Sequence, residues 1–152
     1  MNIGVIVYSE TGNTLSVAKK LEQALKTAGH AVTLAKIEAD RDPKTGVVTF
    51  KSKPAIDAYD TVIFASPVQA FSLARPMKLY LDQISALSGK KAACFVTQGL
   101  KKDWMGGSHA IRQIKSACKV KGADIALTGI VHWSCADHDV QIDEVVQKLS
   151  AI

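Results

Sequence analysis

Six consecutive small or polar residues, Ser9 to Thr14, read Ser-Glu-Thr-Gly-Asn-Thr. They follow an apolar run at 3–7 and precede a helical pattern, so they lie where a predicted strand ends and a helix begins. The first N–H groups of a helix lack intrahelical acceptors, and the helix dipole adds partial positive charge there. Gly12 allows close approach of the backbone, and the hydroxyl and amide side chains add donors. The segment therefore predicts an anion site, with phosphate as the natural ligand.

The same segment does not match the two common nucleotide-binding loops. A P-loop requires G-x-x-x-x-G-K-[ST], and a dinucleotide fingerprint requires G-x-G-x-x-G; the segment has neither pattern. The lysine of a P-loop acts on a transferable phosphate, so its absence indicates a phosphate that is held and not transferred. An ordinary capped helix start is the alternative interpretation of the segment on its own.

A parallel sheet would position this segment. Short apolar runs, typical of strands covered on both faces, occur at 3–7, 31–37, 61–66, 91–96 and 123–131. Helical patterns separate them at 13–28, 76–87, 107–121 and 138–149. This alternation predicts an α/β fold in three layers, a five-stranded, doubly wound parallel sheet between two layers of helices. At 152 residues the chain is expected to form one domain, residues 1–152.

Local signals refine these boundaries. Gly29 is predicted to end the first helix, Pro76 suits a first helical turn, and Ser108 is a candidate N-cap. Residues 38–55 contain Asp-Pro and Thr-Gly turn signals around a Val-Val-Thr-Phe run, which predicts a long excursion or a small hairpin. A stunted helix is expected near 54–59.

Three segments resemble the flavodoxin family. The motif Ser-x-Thr-Gly-Asn-Thr at 9–14, after an apolar first strand, resembles the family's FMN phosphate loop. Residues 59–84 resemble its third strand, first isoalloxazine loop and following helix, including those of quinone-reductase relatives. Residues 97–107 lie where the family has its second flavin loop. The resemblance spans most of the chain and implies a flavodoxin-like sheet of strand order 2-1-3-4-5, with FMN at the switch point known from flavodoxin itself.

The resemblance also implies a role for each loop, since the carboxyl ends of parallel strands open on one edge of the sheet. The phosphate would be surrounded by Ser9, Glu10, Thr11, Gly12, Asn13 and Thr14. Glu10 is expected to turn its carboxylate outward, because a buried anion beside phosphate is costly. One side of the flavin would be lined by Ser66, Pro67, Val68, Gln69, Ala70 and Phe71. Backbone donors at its pyrimidine edge would come from Thr97, Gln98, Gly99 and Leu100.

Two features depart from many flavodoxins. The second flavin loop has no tyrosine, so Trp104 is its aromatic candidate for stacking; packing of Trp104 or Phe71 on the protein's own surface is the alternative. The first flavin loop, Ser-Pro-Val-Gln-Ala-Phe-Ser, has no glycine. A backbone flip to positive φ would therefore be costly at Val68, Gln69 or Ala70, which predicts a less populated one-electron-reduced flavin than in relatives with glycine there.

Positive charge is concentrated in one part of the chain. Residues 90–121 carry eight basic residues and one acid, a net of +7, so the other residues sum to −2 in a chain of net +5. Lys101 and Lys102 fall in the second flavin loop, and an acidic redox protein or a phosphorylated nicotinamide donor is the expected partner. Solvated surface lysines are the alternative. The chain has no nucleic-acid motif or interleaved aromatics, so nucleic acid is not expected as a partner.

Other functional classes have less support. No apolar stretch approaches the length of a membrane span and the N-terminus has no signal-peptide pattern, so a cytoplasmic location without a membrane partner is expected. Three cysteines without a Cys-x-x-Cys pair indicate reduced thiols, with Cys94 and Cys118 as buried small hydrophobes. His132, Cys135 and His138 lack the second Cys/His pair of an ordinary zinc site, so no metal is predicted.

The main functional hypothesis is an FMN-bound redox protein that carries electrons between protein partners. The flavin does the electron chemistry, so no catalytic side chain is assigned. The second hypothesis is an NAD(P)H-dependent FMN or quinone reductase, which the lysines and the first flavin loop favour and the short chain does not. A cofactor-free interaction module on the same fold is the third. A monomer is expected, because short carriers of this family are often monomers.

Overall fold

The computed structural model describes residues 1–152. Its strands are β1 (Asn2–Val7), β2 (Ala31–Lys36), β3 (Glu38–Arg41), β4 (Val48–Ser52), β5 (Thr61–Gln69), β6 (Ser72–Leu73), β7 (Lys91–Gln98) and β8 (Ile125–His132). Its α-helices are α1 (Asn13–Thr27), α2 (Arg75–Gln83), α3 (Gly107–Val120) and α4 (His138–Leu149). A short 3-10 helix spans Asp103–Met105.

Five strands form a parallel sheet in the order β2-β1-β5-β7-β8. Counting only these five strands along the chain gives 2-1-3-4-5, so the predicted fold class and strand order are confirmed. The three central strands β1, β5 and β7 are mostly buried, as expected for apolar runs covered on both faces. From β1 the chain continues to β2 on one side and then to β5 on the other side, so the order of the strands reverses at β1. A crevice therefore opens at the carboxyl ends of β1 and β5.

Alternate residues of the central strands contribute to two hydrophobic cores. Phe64 packs in one core with Met77 of α2 and Ile114 of α3, while the neighbouring Ile63 packs in the other with Leu21 of α1. Because side chains alternate across a strand, one apolar run serves both layers of helices. All these side chains are fully buried, and truncating such a residue to alanine typically costs ~2–5 kcal/mol. The helices thus fix the strands and the loops at their carboxyl ends.

Glycines with left-handed backbone stand at both ends of α1. Gly12 is the N-cap residue, with φ 91°, and Gly29 follows the C-terminal end, with φ 94°. Gly29 N–H donates to the Lys26 carbonyl (3.0 Å) and His30 N–H donates to the Leu25 carbonyl (3.2 Å). This pair of bonds is the Schellman motif, which uses otherwise unpaired carbonyl groups of the last turn. The predicted helix end at Gly29 is confirmed.

Residues 38–52 contain the predicted small hairpin, in which β3 and β4 pair antiparallel outside the main sheet. The stunted helix expected near 54–59 is wrong, because these residues contain no helix. Their carbonyl groups bind donors from other elements: the Tyr80 hydroxyl donates to the Pro54 carbonyl (2.5 Å), and Asn2 Nδ2 donates to the Ala58 carbonyl (2.8 Å). Apart from one local bond, from Tyr59 N–H to the Ile56 carbonyl (3.2 Å), these residues are held by hydrogen bonds to other elements.

Two predicted helix boundaries are also wrong. α2 ends at Gln83, four residues early, and the segment beyond it leads to Leu87, whose N–H donates to the Lys121 carbonyl after α3 (2.8 Å). Ser108 lies inside α3 and does not cap it, since Gly106 is the N-cap residue and no side chain caps this helix. The first difference arises because the chain after α2 bonds to a distant element. The second arises because glycine takes the place of a side-chain cap.

Cys94 and Cys118 are buried and unpaired, as predicted. Burial raises the pKa of the Cys94 thiol well above its usual range and raises the pKa of Cys118 to about 12. These two thiols therefore stay protonated at neutral pH. No group of three or more His, Cys, Asp or Glu side chains is arranged to hold a metal ion. None of the helices combines the length and apolar character needed to cross a membrane.

Candidate functional site

Four strand ends meet around one cavity at the carboxyl edge of the sheet. The cavity has a volume of about 380 Å³ and is bordered by the ends of β1, β5, β7 and β8, which are neighbours in that order. Its lining residues are Glu10, Thr11, Asn13, Pro67, Val68, Gln69, Thr97, Gln98, Gly99, Trp133 and Ser134. Nine of these eleven were predicted from the sequence as site residues. The fold thus brings together four segments that are far apart in the chain, three of which were predicted.

The first loop is organised around Ser9. Its Oγ accepts hydrogen bonds from Gly12 N–H (3.1 Å) and Leu15 N–H (3.3 Å), which leaves the hydroxyl hydrogen free to donate. The N–H groups of Asn13 and Thr14, in the first turn of α1, have no intrahelical acceptor. Apart from its neighbours in the chain, no atom lies within 4 Å of the position that a Cβ of Gly12 would take. The loop is therefore an open cradle with several neutral donors.

The Glu10 carboxylate accepts a hydrogen bond from Tyr8 and not from the N–H and hydroxyl donors of the loop. Its Oε1 accepts a bond from the Tyr8 hydroxyl (2.8 Å), and the residue is exposed. Burial of the Tyr8 ring, followed by the bond to the Glu10 carboxylate, raises the pKa of Tyr8 above its usual range. The backbone N–H groups of the loop are therefore not occupied by this carboxylate.

A buried pair of hydroxyls joins the first loop to the end of β7. Thr14 Oγ1 and Thr97 Oγ1 lie 2.7 Å apart, and either hydroxyl can donate. Thr14 belongs to the first turn of α1, and Thr97 is in register with Pro67 of β5. This bond fixes the predicted phosphate loop relative to both predicted flavin loops.

The segment after β5 is a tight hairpin and not an open loop. β5 runs three residues past the predicted end at 66 and turns back as β6, so that Gln69 pairs with Ser72. Ala70 and Phe71 form the turn, and both have positive φ, 50° and 63°. Two-residue turns of this kind favour asparagine or glycine. Ala70 and Phe71 therefore hold a left-handed backbone without the glycine that makes it inexpensive, and the cost expected for a flip at Val68, Gln69 or Ala70 stays a prediction.

The Gln98 side chain supports the loop after β7. It is 3% exposed, and its Nε2 donates to the carbonyls of Leu100 (2.8 Å) and Lys102 (2.7 Å), while its buried Oε1 has no partner. From β8, His132 Nδ1 donates to the same Leu100 carbonyl (3.0 Å), and its Nε2 bonds to Asp103 Oδ1 (2.5 Å). These bonds hold residues 99–103 beside β8, with both lysines of the loop exposed.

Eight predicted site residues do not line the cavity. Ser9 and Gly12 border a neighbouring groove of the first loop, and Thr14 and Ser66 are buried beneath the loops. The other four are surface residues of the second and third segments: Ala70, Phe71, Leu100 and Trp104. Phe71 is 62% and Trp104 77% exposed, so neither ring is covered by the protein itself.

Trp133 and Ser134 are cavity residues that the sequence analysis missed. Trp133 N–H donates to the Gln98 carbonyl (2.8 Å) and its ring stacks on His138, with 5.1 Å between centroids and 20° between planes. The signal was available, because the loop after the last parallel strand must open on the same edge of the sheet as the others. In the sequence this segment stands out only for His132, Cys135 and His138, which do not complete an ordinary zinc site.

Comparison with known proteins identifies the family. The sequence model described as the flavodoxin domain matches residues 5–119, from within β1 to the last turn of α3. The chain belongs to the flavodoxin family. It is 27% identical over 153 residues to a flavodoxin from Clostridium saccharobutylicum, across 97% of this chain and 88% of that protein.

Solved structures confirm the flavodoxin fold. Oxidised flavodoxin 2 from Bacillus cereus superposes with a TM-score of 0.72, at 19% identity and with 99% of each chain covered. A flavoprotein from Lactobacillus acidophilus, solved in complex with FMN, superposes with a TM-score of 0.63 at 17% identity, covering 95% of this chain and 97% of that one. Family and fold therefore agree with the sequence-based prediction and support FMN as the cofactor.

The residues present fit this cofactor. The open cradle at Gly12 offers hydroxyl and N–H donors suited to a phosphate. The flavin cavity has no lysine or arginine in its lining, while the groove that Ser9 and Gly12 border also contains Lys36 and Lys51. The adjoining cavity has an apolar and aromatic wall at Val68 and Trp133 and is bordered on another side by residues 97–99, which suits a planar ring with a polar edge.

Proposed function

We propose that the chain is an electron carrier that binds one FMN non-covalently and exchanges electrons with protein partners. The observation that supports this most directly is the open cradle at Gly12 beside a cavity formed by the ends of β5, β7 and β8. This arrangement matches a molecule with an anionic group at one end and a planar ring at the other. Bound FMN supplies the electron chemistry, while the protein supplies position, electrostatics and access.

Neutral donors hold the phosphate in this proposal. The ligands come from residues 9–14, through the Ser9 hydroxyl that is free to donate and the N–H groups of Asn13 and Thr14, with the helix dipole of α1 adding to the attraction. The Thr14 hydroxyl is paired with Thr97 and is not among them. Hydrogen bonds to a charged group contribute ~1.5–3 kcal/mol each, so a few of them suffice without an ion pair.

The ring is placed between the hairpin and the loops after β7 and β8. The segment 66–71 forms one side through its cavity residues Pro67, Val68 and Gln69, and backbone groups of 97–100 meet the pyrimidine edge. Trp133 already lines the cavity and is the preferred aromatic neighbour of the ring, whereas Trp104 and Phe71 extend into solvent near it. Buried apolar and aromatic contact strengthens ring binding.

An acidic redox protein is the proposed partner. Lys101 and Lys102 are exposed and follow Gly99, which lines the cavity, so a partner attracted by them approaches the cofactor. Three further exposed basic residues extend the positive surface along α3: Arg112, Lys115 and Lys119. Such a surface speeds encounter with an oppositely charged protein and does so less at high salt.

Direct reduction by NAD(P)H is the second candidate function. The same two lysines favour it, because the phosphates of a nicotinamide nucleotide are also attracted to positive charge beside the cavity. In that case the chain would be a flavin or quinone reductase and would need no protein donor.

Two measurements on the purified chain test these proposals. FMN titration followed by absorbance and fluorescence is expected to give a yellow complex with one flavin per chain; absence of binding would leave the cofactor-free module. Anaerobic mixing with NADPH, alone or with a flavoprotein reductase, then separates carrier from enzyme. A carrier is reduced rapidly only when the second protein is present. Rapid reduction by NADPH alone would select the reductase instead.

A further inference from the structure

The β5–β6 hairpin is tied to helix α3 through one side chain. Gln113 Oε1 accepts hydrogen bonds from Leu73 N–H (2.8 Å) and from the Ser72 hydroxyl (3.0 Å). Leu73 is 4% exposed, so its N–H has little access to water as a substitute acceptor. Gln113 therefore supplies a hydrogen bond that the hairpin needs.

The two residues held by Gln113 pair directly with cavity residues. Leu73 pairs with Val68, and Ser72 pairs with Gln69. Val68 and Gln69 both line the cavity. Gln113 does not line the cavity itself. Its amide oxygen binds Ser72 and Leu73, and the strand partners of these two residues form part of the cavity wall.

Gly106 allows α3 to approach the hairpin closely. A Cβ at Gly106 would lie 2.7 Å from Val68 Cγ1 and 2.8 Å from Phe71 Cα, distances that real side chains do not tolerate. The turn at Ala70 and Phe71 has a left-handed backbone without glycine, so it persists only where its surroundings hold it. Gly106 contributes the close packing and Gln113 the hydrogen bonds.

We propose that Gln113 is a positioning residue for the bound flavin. By fixing Ser72 and Leu73, it sets the place of Gln69 and Val68 against the ring, without touching the ring itself. The inference rests on the proposed function, because it takes this cavity as the FMN site. A merely structural role predicts that loss of Gln113 affects the hairpin and leaves the bound flavin unchanged.

The test compares three variants by FMN affinity, FMN midpoint potential and hydrogen exchange of the Leu73 amide in the apoprotein. Gln113→Met keeps side-chain length and removes the acceptor. Gln113→Glu keeps the acceptor oxygens. Gln147→Met makes the same change at an exposed site on α4 and is the matched control.

Gln113→Met is expected to accelerate Leu73 exchange, to raise the FMN dissociation constant about tenfold and to shift the midpoint potential. Gln113→Glu is expected to restore Leu73 protection and FMN affinity, and Gln147→Met to match the wild type in all three measurements. Should Gln113→Met not fold, Ser72→Ala removes one of the two bonds and is expected to weaken FMN binding by a smaller factor.

The outcomes separate this inference from the function on which it rests. If the wild-type chain binds no FMN, the proposed function fails and the inference with it. If the wild type binds FMN while Gln113→Met, or Ser72→Ala in its place, shows unchanged affinity and potential, the positioning role alone is overturned. Unchanged Leu73 exchange in Gln113→Met would also overturn it.

Discussion

Thr14 in α1 and Thr97 in β7 share a buried hydrogen bond between hydroxyls 2.7 Å apart, although 83 positions separate them in the chain. A buried polar group that loses its only partner costs ~1–3 kcal/mol. The pair therefore couples the stability of the fold to the relative placement of the phosphate loop and the flavin loops.

Thr97→Val is expected to lower the free energy of unfolding of the apoprotein by ~1–3 kcal/mol, because the Thr14 hydroxyl loses its partner. Adding Thr14→Val is expected to cost less in that background than alone, since no polar group remains unpaired. Urea unfolding of the single and double variants measures both effects. Thr33→Val, at an exposed position of β2, is the control. Strictly additive losses would show that the two hydroxyls are not coupled.

Gly12→Ala and Gly29→Ala form a matched pair around α1. Both glycines have left-handed backbone with open space around the Cβ position, so each substitution is expected to destabilise the fold by ~1–2 kcal/mol. Only Gly12→Ala is expected to weaken FMN binding as well, because its methyl group enters the cradle proposed for the phosphate. Thermal unfolding and FMN titration measure the two effects. Equal FMN affinity in both variants would place the phosphate elsewhere.

The two tryptophans predict different responses to FMN. Trp133 lines the cavity and Trp104 is 77% exposed, so Trp133→Ala is expected to lose more FMN affinity than Trp104→Ala. An aromatic pair contributes ~0.5–1.5 kcal/mol in addition to the burial of its surface, and this binding energy would be lost with the ring. Fluorescence of each single-tryptophan variant during FMN titration shows which ring is quenched. Greater loss with Trp104→Ala would favour stacking by the second flavin loop, for which Trp104 is the candidate in the sequence.

Charge reversal at Lys101 and Lys102 tests the docking surface. The double change to glutamate is expected to slow electron exchange with an acidic flavoprotein reductase by at least about tenfold at low salt, because the attraction becomes repulsion. Lys19→Glu with Lys20→Glu makes the same change in net charge at exposed positions of α1. Stopped-flow reduction over a range of salt concentrations is the measurement. If reduction rate and midpoint potential are unchanged, the lysines are only solvated surface.

The buried Cys118 thiol predicts a loss of stability in alkali. Its pKa is raised to about 12 in the folded chain by burial, whereas the unfolded thiol ionises near its usual value. Below that value both states are protonated, and above it only the unfolded state loses its proton, so the free energy of unfolding falls by up to ~1.4 kcal/mol per pH unit. Cys118→Ala is expected to flatten this decline in urea unfolding between pH 8 and 10. If the free energy of unfolding of Cys118→Ala declined with pH as steeply as that of the wild type, the Cys118 thiol would not be the cause.

The core elements were predictable because their signals are local and strong. The apolar run at 3–7 and the helical pattern ending at Gly29 each specify their own structure, and the alternation of such segments limits the topology to a doubly wound sheet. The same reasoning placed the three polar loops at one edge, which is where nine cavity residues lie.

The remaining features depend on contacts between distant residues. Residues 54–59 form no helix because Tyr80 and Asn2 bind their carbonyl groups, and no local pattern reveals such partners. The hairpin after β5 was not predicted because Ala70 and Phe71 lack the asparagine and glycine that normally mark its turn. That hairpin forms where Gly106 and Gln113 of another segment meet it.

The left-handed turn at Ala70 and Phe71 has an energetic consequence for backbone rotation at the tip of the hairpin. Each residue carries a conformational cost of ~1–2 kcal/mol in its present backbone geometry, which returns if the residue rotates back to negative φ. A peptide rotation at this tip therefore starts from a state of higher energy. Its net cost is smaller than the absence of glycine from the loop would suggest. The hairpin beside the cavity is therefore held in a backbone conformation of higher energy, and its contacts with Gly106 and with Gln113 of α3 keep it there.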